Sequence, residues 1–132
     1  MGAAENKRIV QEMYARLAEG RLRPYLEPMA DDLRLTIIGT TKYSGAFTGK
    51  ATYEKLLRAL PPLFEDRVPL LTPENFIAEG DYVVAQLRGE STSVKGKPYN
   101  NAYCMVFRFA NGKIQEITEY LDTELMTTVF GN

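Results

Sequence analysis

The chain has 132 residues, 45% of them hydrophobic, and 16 basic against 17 acidic residues give a formal net charge of −1. This length suits one domain, spanning residues 1–132, with a single core, and the balanced charge argues against a nucleic-acid surface. The sequence contains no histidine, which excludes His-based nucleophile pairs, His general bases and the usual zinc sites.

The first third of the chain is predicted to be helical, and a strand, a loop and a third helix are predicted to follow. Apolar residues recur at helical spacing up to Gly20, a natural helix stop, and the pattern resumes in RLRPYLEPMADD. The two apolar faces consist of Ile9, Val10, Met13 and Leu17, and then of Leu22, Tyr25, Leu26 and Met29. LRLTIIG (33–39) alternates and then becomes β-branched, which predicts a strand, and GTTKYSGAFTG is predicted to be a loop. KATYEKLLRAL predicts a third helix, which Pro61-Pro62 ends.

The rest of the chain is predicted to form strands. Pro69 and Pro73 confine RVPLLTPENFIAEG to an edge or irregular strand. Three longer strands follow with hairpin-like connections, in DYVVAQLRGEST, NAYCMVFRFA and KIQEITEYLD. Helices followed by a run of antiparallel strands predict an α+β fold, in which helices pack on one face of a curved sheet.

Several segments together resemble the SnoaL-like branch of the NTF2-like, or ketosteroid-isomerase-like, superfamily. They are EGRLRPYLEPMADDLRLTIIG, GKATYEKLL, YNNAYCMVFRFANGKI and EITEYLDTEL, and the resemblance covers nearly the whole chain. It implies a cone, in which a bent antiparallel sheet wraps around N-terminal helices and encloses an apolar pocket, usually in a homodimer. The superfamily includes isomerases, epoxide hydrolases, polyketide cyclases, dehydratases and binding modules, so the fold alone does not settle the function.

The resemblance does not extend to the catalytic set of the ketosteroid isomerases. The positions of their two oxyanion-hole residues and their base fall near Met13, Met105 and Ile37 or Ile38, which are all apolar. Tyr14 is adjacent to the first position but would point about 100° away from it on a helix. We therefore do not expect steroid isomerisation of the established type.

Two other branches of the superfamily carry acidic residues at positions that match this chain. The epoxide-hydrolase branch, typified by limonene-1,2-epoxide hydrolase, activates water with an Asp-Arg-Asp set. Arg88, Glu90 and Glu119 match its order and spacing, although both carboxylates are glutamates here and the water-holding tyrosine and asparagine have no counterpart. In SnoaL-type cyclases one acidic residue acts as acid and base, and Glu119 or Asp122 could supply it.

The register of the last two strands decides where Glu119 points. The Asn111-Gly112 turn suits a two-residue type I′ loop, which would pair residue 104 with 119, or a three-residue loop with a bulge, which would pair 103 with 119. We favour the second, because the resemblance places the positions of Met105 and Glu119 on the pocket wall. The side chains that would then share a face are Tyr103, Met105, Ile117 and Glu119.

The predicted site is a carboxylate pair that shares one arginine. Burial raises a carboxyl pKa and a guanidinium lowers it, so Glu119 and Glu90 beside Arg88 would form an acid/base pair. The predicted pocket residues are Met13, Tyr43, Tyr103, Met105 and Ile117, whereas Tyr25 and Tyr53 are predicted to be core. The alternative is a cross-strand ion network on a solvent or dimer face, with Asp122 as a helix N-cap.

The predicted function is isomerisation, cyclisation or epoxide-type hydrolysis of an apolar small molecule, without a metal or an organic cofactor. The alternative is a non-catalytic ligand-binding or dimer-assembly module with the same fold. The charged N-terminal segment and the lack of a long apolar run predict a cytoplasmic protein that does not bind membranes. A homodimer is expected from the resemblance.

Overall fold

The computed structural model of the protein describes residues 2–66 and 70–132. Within these ranges the chain forms four α-helices, six strands and a 3₁₀ turn at Pro61–Leu63. The helices are α1 (Ala3–Ala18), α2 (Leu22–Leu26), α3 (Lys50–Arg58) and α4 (Thr123–Phe130). The strands are β1 (Met29–Ile37), β2 (Gly45–Thr48), β3 (Leu70–Glu79), β4 (Tyr82–Glu90), β5 (Ala102–Ala110) and β6 (Lys113–Leu121). Pro69, one of the two prolines expected to mark an edge strand, lies outside the described residues.

The six described strands form one mixed sheet in the order β2-β1-β6-β5-β4-β3. Neighbouring strands are antiparallel except β1 and β6, which run parallel. The α+β class is confirmed. The predicted antiparallel meander is present, and the sheet is mixed because β1 pairs in parallel with β6, the last strand of the meander. β3 lies at the edge of the sheet, and its pairing with β4 is irregular between Pro73 and Asn75.

The helices cover one face of this sheet, which we call the inner face. Helix α1 packs on β3 and β4, and α3 packs on β1. Between helices and sheet lies the main core, which includes the fully buried side chains of Val10, Leu33, Val83, Phe107 and Ile114. None of the helices within residues 2–66 and 70–132 is long and apolar enough to cross a membrane.

Three elements differ from their predictions. The second helix ends at Leu26 because Pro28 has no N–H to extend it, and the Pro28 carbonyl instead accepts from the backbone N of Ile114 on β6 at 2.9 Å. The glycine-rich segment predicted to be a loop contains the short strand β2, which pairs with β1. Helix α4 was expected only in the alternative that makes Asp122 a helix N-cap, and the Asp122 side chain does cap it by accepting from the Leu125 backbone N at 3.0 Å.

The β5–β6 hairpin combines features of both predicted registers. Asn111 and Gly112 both have positive φ, at 54° and 78°, as a two-residue type I′ turn requires. The pairing then shifts between Phe109 and Arg108, because β6 contains one extra residue there, and Met105 faces Glu119. Both predicted pairings are therefore wrong by one or two residues, but the predicted sharing of a face by Met105 and Glu119 is right.

Candidate active site

Glu119 lies in the middle of the sheet, on its inner face. On β5 it pairs with Met105, and on β1 it pairs with Ile37. Met105 is almost fully buried, while Ile37 and Glu119 keep part of their surface exposed. An acidic side chain is thus placed between apolar neighbours on both adjacent strands, at the position where the sheet faces the helices.

Among the described residues, the Glu119 carboxyl has no partner that would compensate its charge. None of the described residues donates a hydrogen bond to it or forms an ion pair with it, and burial raises its pKa from 4.5 to about 7. Removal from water disfavours the charged form of a carboxyl. At neutral pH Glu119 is therefore divided between its two forms, which suits a group that accepts and returns a proton.

Arg88 and Glu90 do not belong to this site, and the predicted Arg88–Glu90–Glu119 set is wrong. Side chains alternate along a strand, and on β4 the buried Ala85 and Leu87 face the helices while residues 86, 88 and 90 are exposed on the outer face. The Arg88 Nε instead donates to Glu74 Oε2 of β3 at 3.2 Å. Arg88 therefore belongs to a cross-strand ion pair on an exposed face, the kind of interaction that the alternative interpretation predicted.

Two other acidic side chains of the last strand region also have structural partners. Glu116 lies on the outer face, where its Oε2 accepts from Arg108 Nη2 at 2.9 Å, and this hydrogen bond lowers the pKa of Glu116. The exposed carboxylate of Asp122 caps α4, as the alternative interpretation predicted. Glu119 is the acidic residue of β6 whose side chain lies on the inner face.

The predicted pocket residues separate into two groups. Met13, Met105 and Ile117 are buried in the main core, and Tyr103 packs against that core with part of its surface exposed. Tyr43 lies elsewhere, in a second apolar cluster around α4, with its ring centroid 6.1 Å from that of Phe130.

Glu119 lines neither of two surface clefts in the described part of the chain. One, of about 250 Å³, lies between α1 and α2 and includes Met13. The other, of about 500 Å³, includes Arg88 and Glu90 on the outer side of the sheet. A pocket at Glu119 stays a prediction.

Three tyrosines of the helices form a hydroxyl cluster that the sequence did not reveal. The hydroxyls of Tyr25 and Tyr53 are hydrogen-bonded at 2.9 Å, and the ring of Tyr14 meets that of Tyr25 edge-on with centroids 5.5 Å apart. Tyr14 is buried together with its neighbour Met13, because α2 covers one side of α1 and strands β3 and β4 cover another. The Tyr14 hydroxyl has no hydrogen-bond partner among the described residues.

The charge of Glu119 acts on five tyrosine hydroxyls. Burial raises the pKa of each, and the negative charge of Glu119 raises it further. These residues are Tyr14, Tyr25, Tyr53, Tyr99 and Tyr103. All five hydroxyls therefore remain protonated at neutral pH and can serve as hydrogen-bond donors within electrostatic range of one carboxyl group. The adjacency of Tyr14 to a family site position was the only sequence signal for this arrangement.

Comparisons with known proteins agree with this architecture. A family model described as a SnoaL-like domain matches residues 10–117. A search of curated protein sequences finds no match.

Many solved structures share the fold. An NTF2-like protein of unknown function from Burkholderia pseudomallei K96243 is 24% identical, with full coverage of both chains and a TM-score of 0.85. TerC, co-crystallized with polyporic acid, is 22% identical, with 96% and 98% of the two chains covered and a TM-score of 0.81. A proposed SnoaL-like polyketide cyclase from Jannaschia sp. CCS1 is 19% identical, with 94% and 92% covered and a TM-score of 0.75. At these identities the likeness establishes the NTF2-like fold.

Proposed function

The chain belongs to the SnoaL-like domain family, and on that premise we propose that it catalyses proton transfer on an apolar small molecule without a cofactor. The observation that carries the proposal is Glu119, a carboxyl on the inner face of the sheet with a pKa of about 7 and no compensating partner among the described residues. A perturbed carboxyl of this kind is characteristic of catalytic acids and bases. TerC, with its polyporic acid, shows that a related fold has been crystallised with an organic molecule.

In the proposed reaction, ionised Glu119 removes a proton from a carbon next to a carbonyl group. The electron pair of the broken C–H bond moves into the carbonyl, and its oxygen gains negative charge. A hydroxyl that already points its hydrogen at this oxygen stabilises that charge. Protonated Glu119 then returns the proton to another carbon. Alternatively, the enolate attacks a second carbonyl of the same molecule and closes a ring, and Glu119 gives its proton to the alkoxide that forms.

Tyr14 is the best candidate for the stabilising hydroxyl. It is buried, its hydroxyl is unpaired within the described chain, and it lies in the electrostatic field of Glu119. A buried unpaired hydroxyl costs about 1–3 kcal/mol, so a ligand oxygen that pairs with it regains that energy on binding. The ring of Tyr25, whose hydroxyl is hydrogen-bonded to that of Tyr53 at 2.9 Å, packs edge-on against the Tyr14 ring.

This geometry supports isomerisation or cyclisation better than epoxide-type hydrolysis. Hydrolysis by the epoxide-hydrolase route needs an arginine between two acidic residues. The only matching arginine, Arg88, points to the opposite face of the sheet from Glu119. The residues that would activate water for hydrolysis are therefore not brought together around Glu119, whereas a single carboxyl with hydroxyl donors suffices for proton transfer.

A non-catalytic binding or assembly module is the second candidate. The observation that favours it is that Glu119 lines neither of the two clefts described above. A homodimer through the outer sheet face, where Tyr82 and Tyr120 are about half exposed, also remains a proposal. Sedimentation equilibrium tests it directly.

The first experiment screens hydrophobic ketones and lactones for thermal stabilisation of the protein. Each binder is then incubated in D₂O, and NMR follows deuterium entry next to its carbonyl. We expect exchange to fall about 10²–10⁴-fold in Glu119→Gln with binding retained. Glu116→Gln is the matched control, because Glu116 is on the same strand but on the outer face. This variant should catalyse deuterium exchange as fast as the wild type.

The outcomes separate the two candidates. Unchanged exchange in Glu119→Gln would show that Glu119 is not the base. Binding by the wild type without any exchange would favour the binding module over the enzyme.

A further inference from the structure

Glu119 lies at the boundary between the main core and the second apolar cluster. Side chains of β6 alternate between the two faces of the sheet, so Ile117, Glu119 and Leu121 follow one another on the inner face. Ile117 is buried in the main core, whereas Leu121 packs against the second cluster, which is built around α4. The acidic side chain therefore marks the point at which one cluster ends and the other begins.

The inner face is packed less tightly at the level of Glu119 than below it. Ile117 is 1% exposed. Glu119 and Leu121, further along β6, are only partly buried, and the same is true of the residues that pair with them. These partners are Ile37 on β1 and Tyr103 on β5. Since protein interiors are normally close-packed, four adjacent side chains with accessible surface indicate a gap between the two clusters.

Helix α4 begins beside this gap. The Glu119 carbonyl accepts from the backbone N of Ile38 at 3.2 Å, and the next residue of that segment, Gly39, lies against the first residue of α4. A Cβ atom at Gly39 would come within 2.9 Å of Thr123 Cγ2. The helix thus starts where β1 and β6 end, one residue from the backbone that pairs with Glu119.

The buried face of α4 is turned toward the inner side of the sheet. Met126 and Val129 are each 7% exposed, and they belong to the cluster against which Leu121 packs. Leu121 is the inner-face residue next to Glu119. Helix α4 therefore covers the end of the gap and does not extend away from the sheet.

Most of the contacts that hold α4 in this place are made by side chains. Between residues 2–66 and 70–132, no backbone–backbone hydrogen bond joins α4 to a strand or to another helix. The ring of Phe130 instead contacts three aromatic rings from separate connecting segments. The centroid distances are 6.1 Å to Tyr43, 5.7 Å to Phe64 and 4.8 Å to Tyr99. An element attached in this way opens at a lower free energy than the central strands do.

The connection between β6 and α4 is fixed by one buried side chain. Asn101, which is 1% exposed, accepts from the Asp122 backbone N at 3.0 Å through its Oδ1. Its Nδ2 donates to the Asp122 carbonyl at 3.1 Å. The chain is therefore held firmly up to Asp122 and more loosely after it, which makes Asp122 a suitable pivot.

We propose that α4 is a lid that pivots at Asp122 and gives a small molecule access to the gap at Glu119. Opening separates Phe130 from its three aromatic partners and leaves the main core intact. Closure by this lid accounts for Glu119 lining neither of the clefts described above. What reacts in the gap rests on the proposed function, whereas the movement of α4 does not.

A thiol reporter in the gap tests the lid without a known substrate. In the full-length chain, Ile37→Cys places a thiol at the position that pairs with Glu119, and Cys104→Ser removes the natural thiol. The rate of reaction with DTNB reports how often the gap opens. We expect this thiol to react at least about 10-fold more slowly than in the urea-unfolded chain. Adding Phe130→Ala should accelerate the reaction about 10–100-fold, because the ring that holds the lid is lost.

Two controls separate the lid from other effects. Thr128→Ala changes an exposed residue of the same helix and should leave the reporter rate within about twofold. The natural Cys104 precedes the inward-facing Met105, so its thiol is on the outer face. Its own reaction with DTNB should be equally fast with and without Phe130→Ala.

Hydrogen exchange of the wild-type chain gives an independent measurement, which decides the proposal even if Phe130→Ala does not fold. Amides of α4 should exchange faster than those of α1 and β5. Equal protection of α4 and α1 would overturn the proposal, and so would a reporter rate that Phe130→Ala leaves unchanged. A faster reporter reaction with an equal loss of protection in α1 would indicate global unfolding and would also overturn it.

The proposed function fails separately from the lid. It is lost if Glu119→Gln exchanges the protons of a bound ketone as fast as the wild type, whatever the reporter rates are. The lid is lost if the reporter thiol reacts as fast in the folded chain as in urea, whatever Glu119 does.

Discussion

Replacing Glu119 with glutamine should make the protein more stable at alkaline pH, because it removes a buried ionisation. The pKa of this carboxyl is about 7 in the folded protein against an ordinary 4.5, so the folded state binds the proton more tightly than the unfolded state. The stability that this proton contributes is fully present below pH 4.5 and is lost as the pH rises through 7. Glutamine keeps the size of the side chain and stays neutral throughout.

The size of the effect follows from the separation of the two pKa values. A pKa difference of one unit corresponds to about 1.4 kcal/mol, so the complete loss of stability approaches about 3 kcal/mol. Solvent contact of the half-buried carboxyl screens part of this energy, and we expect about 1–3 kcal/mol. As the pH rises from 5 to 8, the free energy of unfolding of Glu119→Gln should increase by this amount relative to that of the wild type. This gain corresponds to a Tm about 3–10 °C higher at pH 8.

Urea unfolding at pH 5, 6, 7 and 8 measures this difference, with Glu116→Gln as the control. The hydrogen bond from Arg108 lowers the pKa of Glu116, so the contribution of Glu116 is present above its unfolded pKa and is lost only at more acidic pH. Its glutamine variant should therefore differ from the wild type by a constant amount over this range. If Glu119→Gln changes the free energy of unfolding equally at pH 5 and pH 8, the inference that burial raises the pKa of Glu119 is refuted.

Three further substitutions test the placement of neighbouring residues. Asp122→Ala should lower the free energy of unfolding by about 1 kcal/mol through loss of the helix cap, while Asp122→Asn keeps most of it in the same thermal melts. Arg88→Gln should leave the pKa of Glu119 unchanged, since the two side chains lie on opposite faces of the sheet. A ¹³C NMR titration of the Glu119 carboxyl measures this pKa, and a clear shift would contradict that geometry. Gly89→Ala should cost about 1–3 kcal/mol by overpacking, because a Cβ atom at Gly89 would come within 3.2 Å of Tyr103 Cε2, and a crystal structure should show the Tyr103 ring displaced.

Local rules in the sequence determined much of the fold. Apolar spacing placed α1 and α3, because a helix in a small domain must bury one face. The Asn111-Gly112 pair indicated a tight turn at this place, since both residues tolerate positive φ, although the turn is type I′ and not the favoured three-residue loop. Asp122 was identified as a cap from its place at the end of a strand, and α4 follows it.

The candidate site was only partly predictable. The position of Glu119 on a shared face with Met105 was correct, although the bulge lies within β6 and not in the turn. Arg88 was assigned to the wrong face, because alternation along β4 says which residues share a face but not which face meets the helices. The parallel pairing of β1 with β6 likewise depends on strands far apart in the chain.

The tyrosine cluster was decided by tertiary structure alone. Tyr14, Tyr25 and Tyr53 come from three separate helices. In the sequence, Tyr25 and Tyr53 are ordinary apolar-face residues, and Tyr14 lies beside such a face. Packing of those helices on the sheet brings the hydroxyls together and excludes water from them, which also raises the pKa of Glu119. Sequence spacing thus determined the elements and the chemistry available, whereas long-range packing decided which of these groups share one water-poor environment.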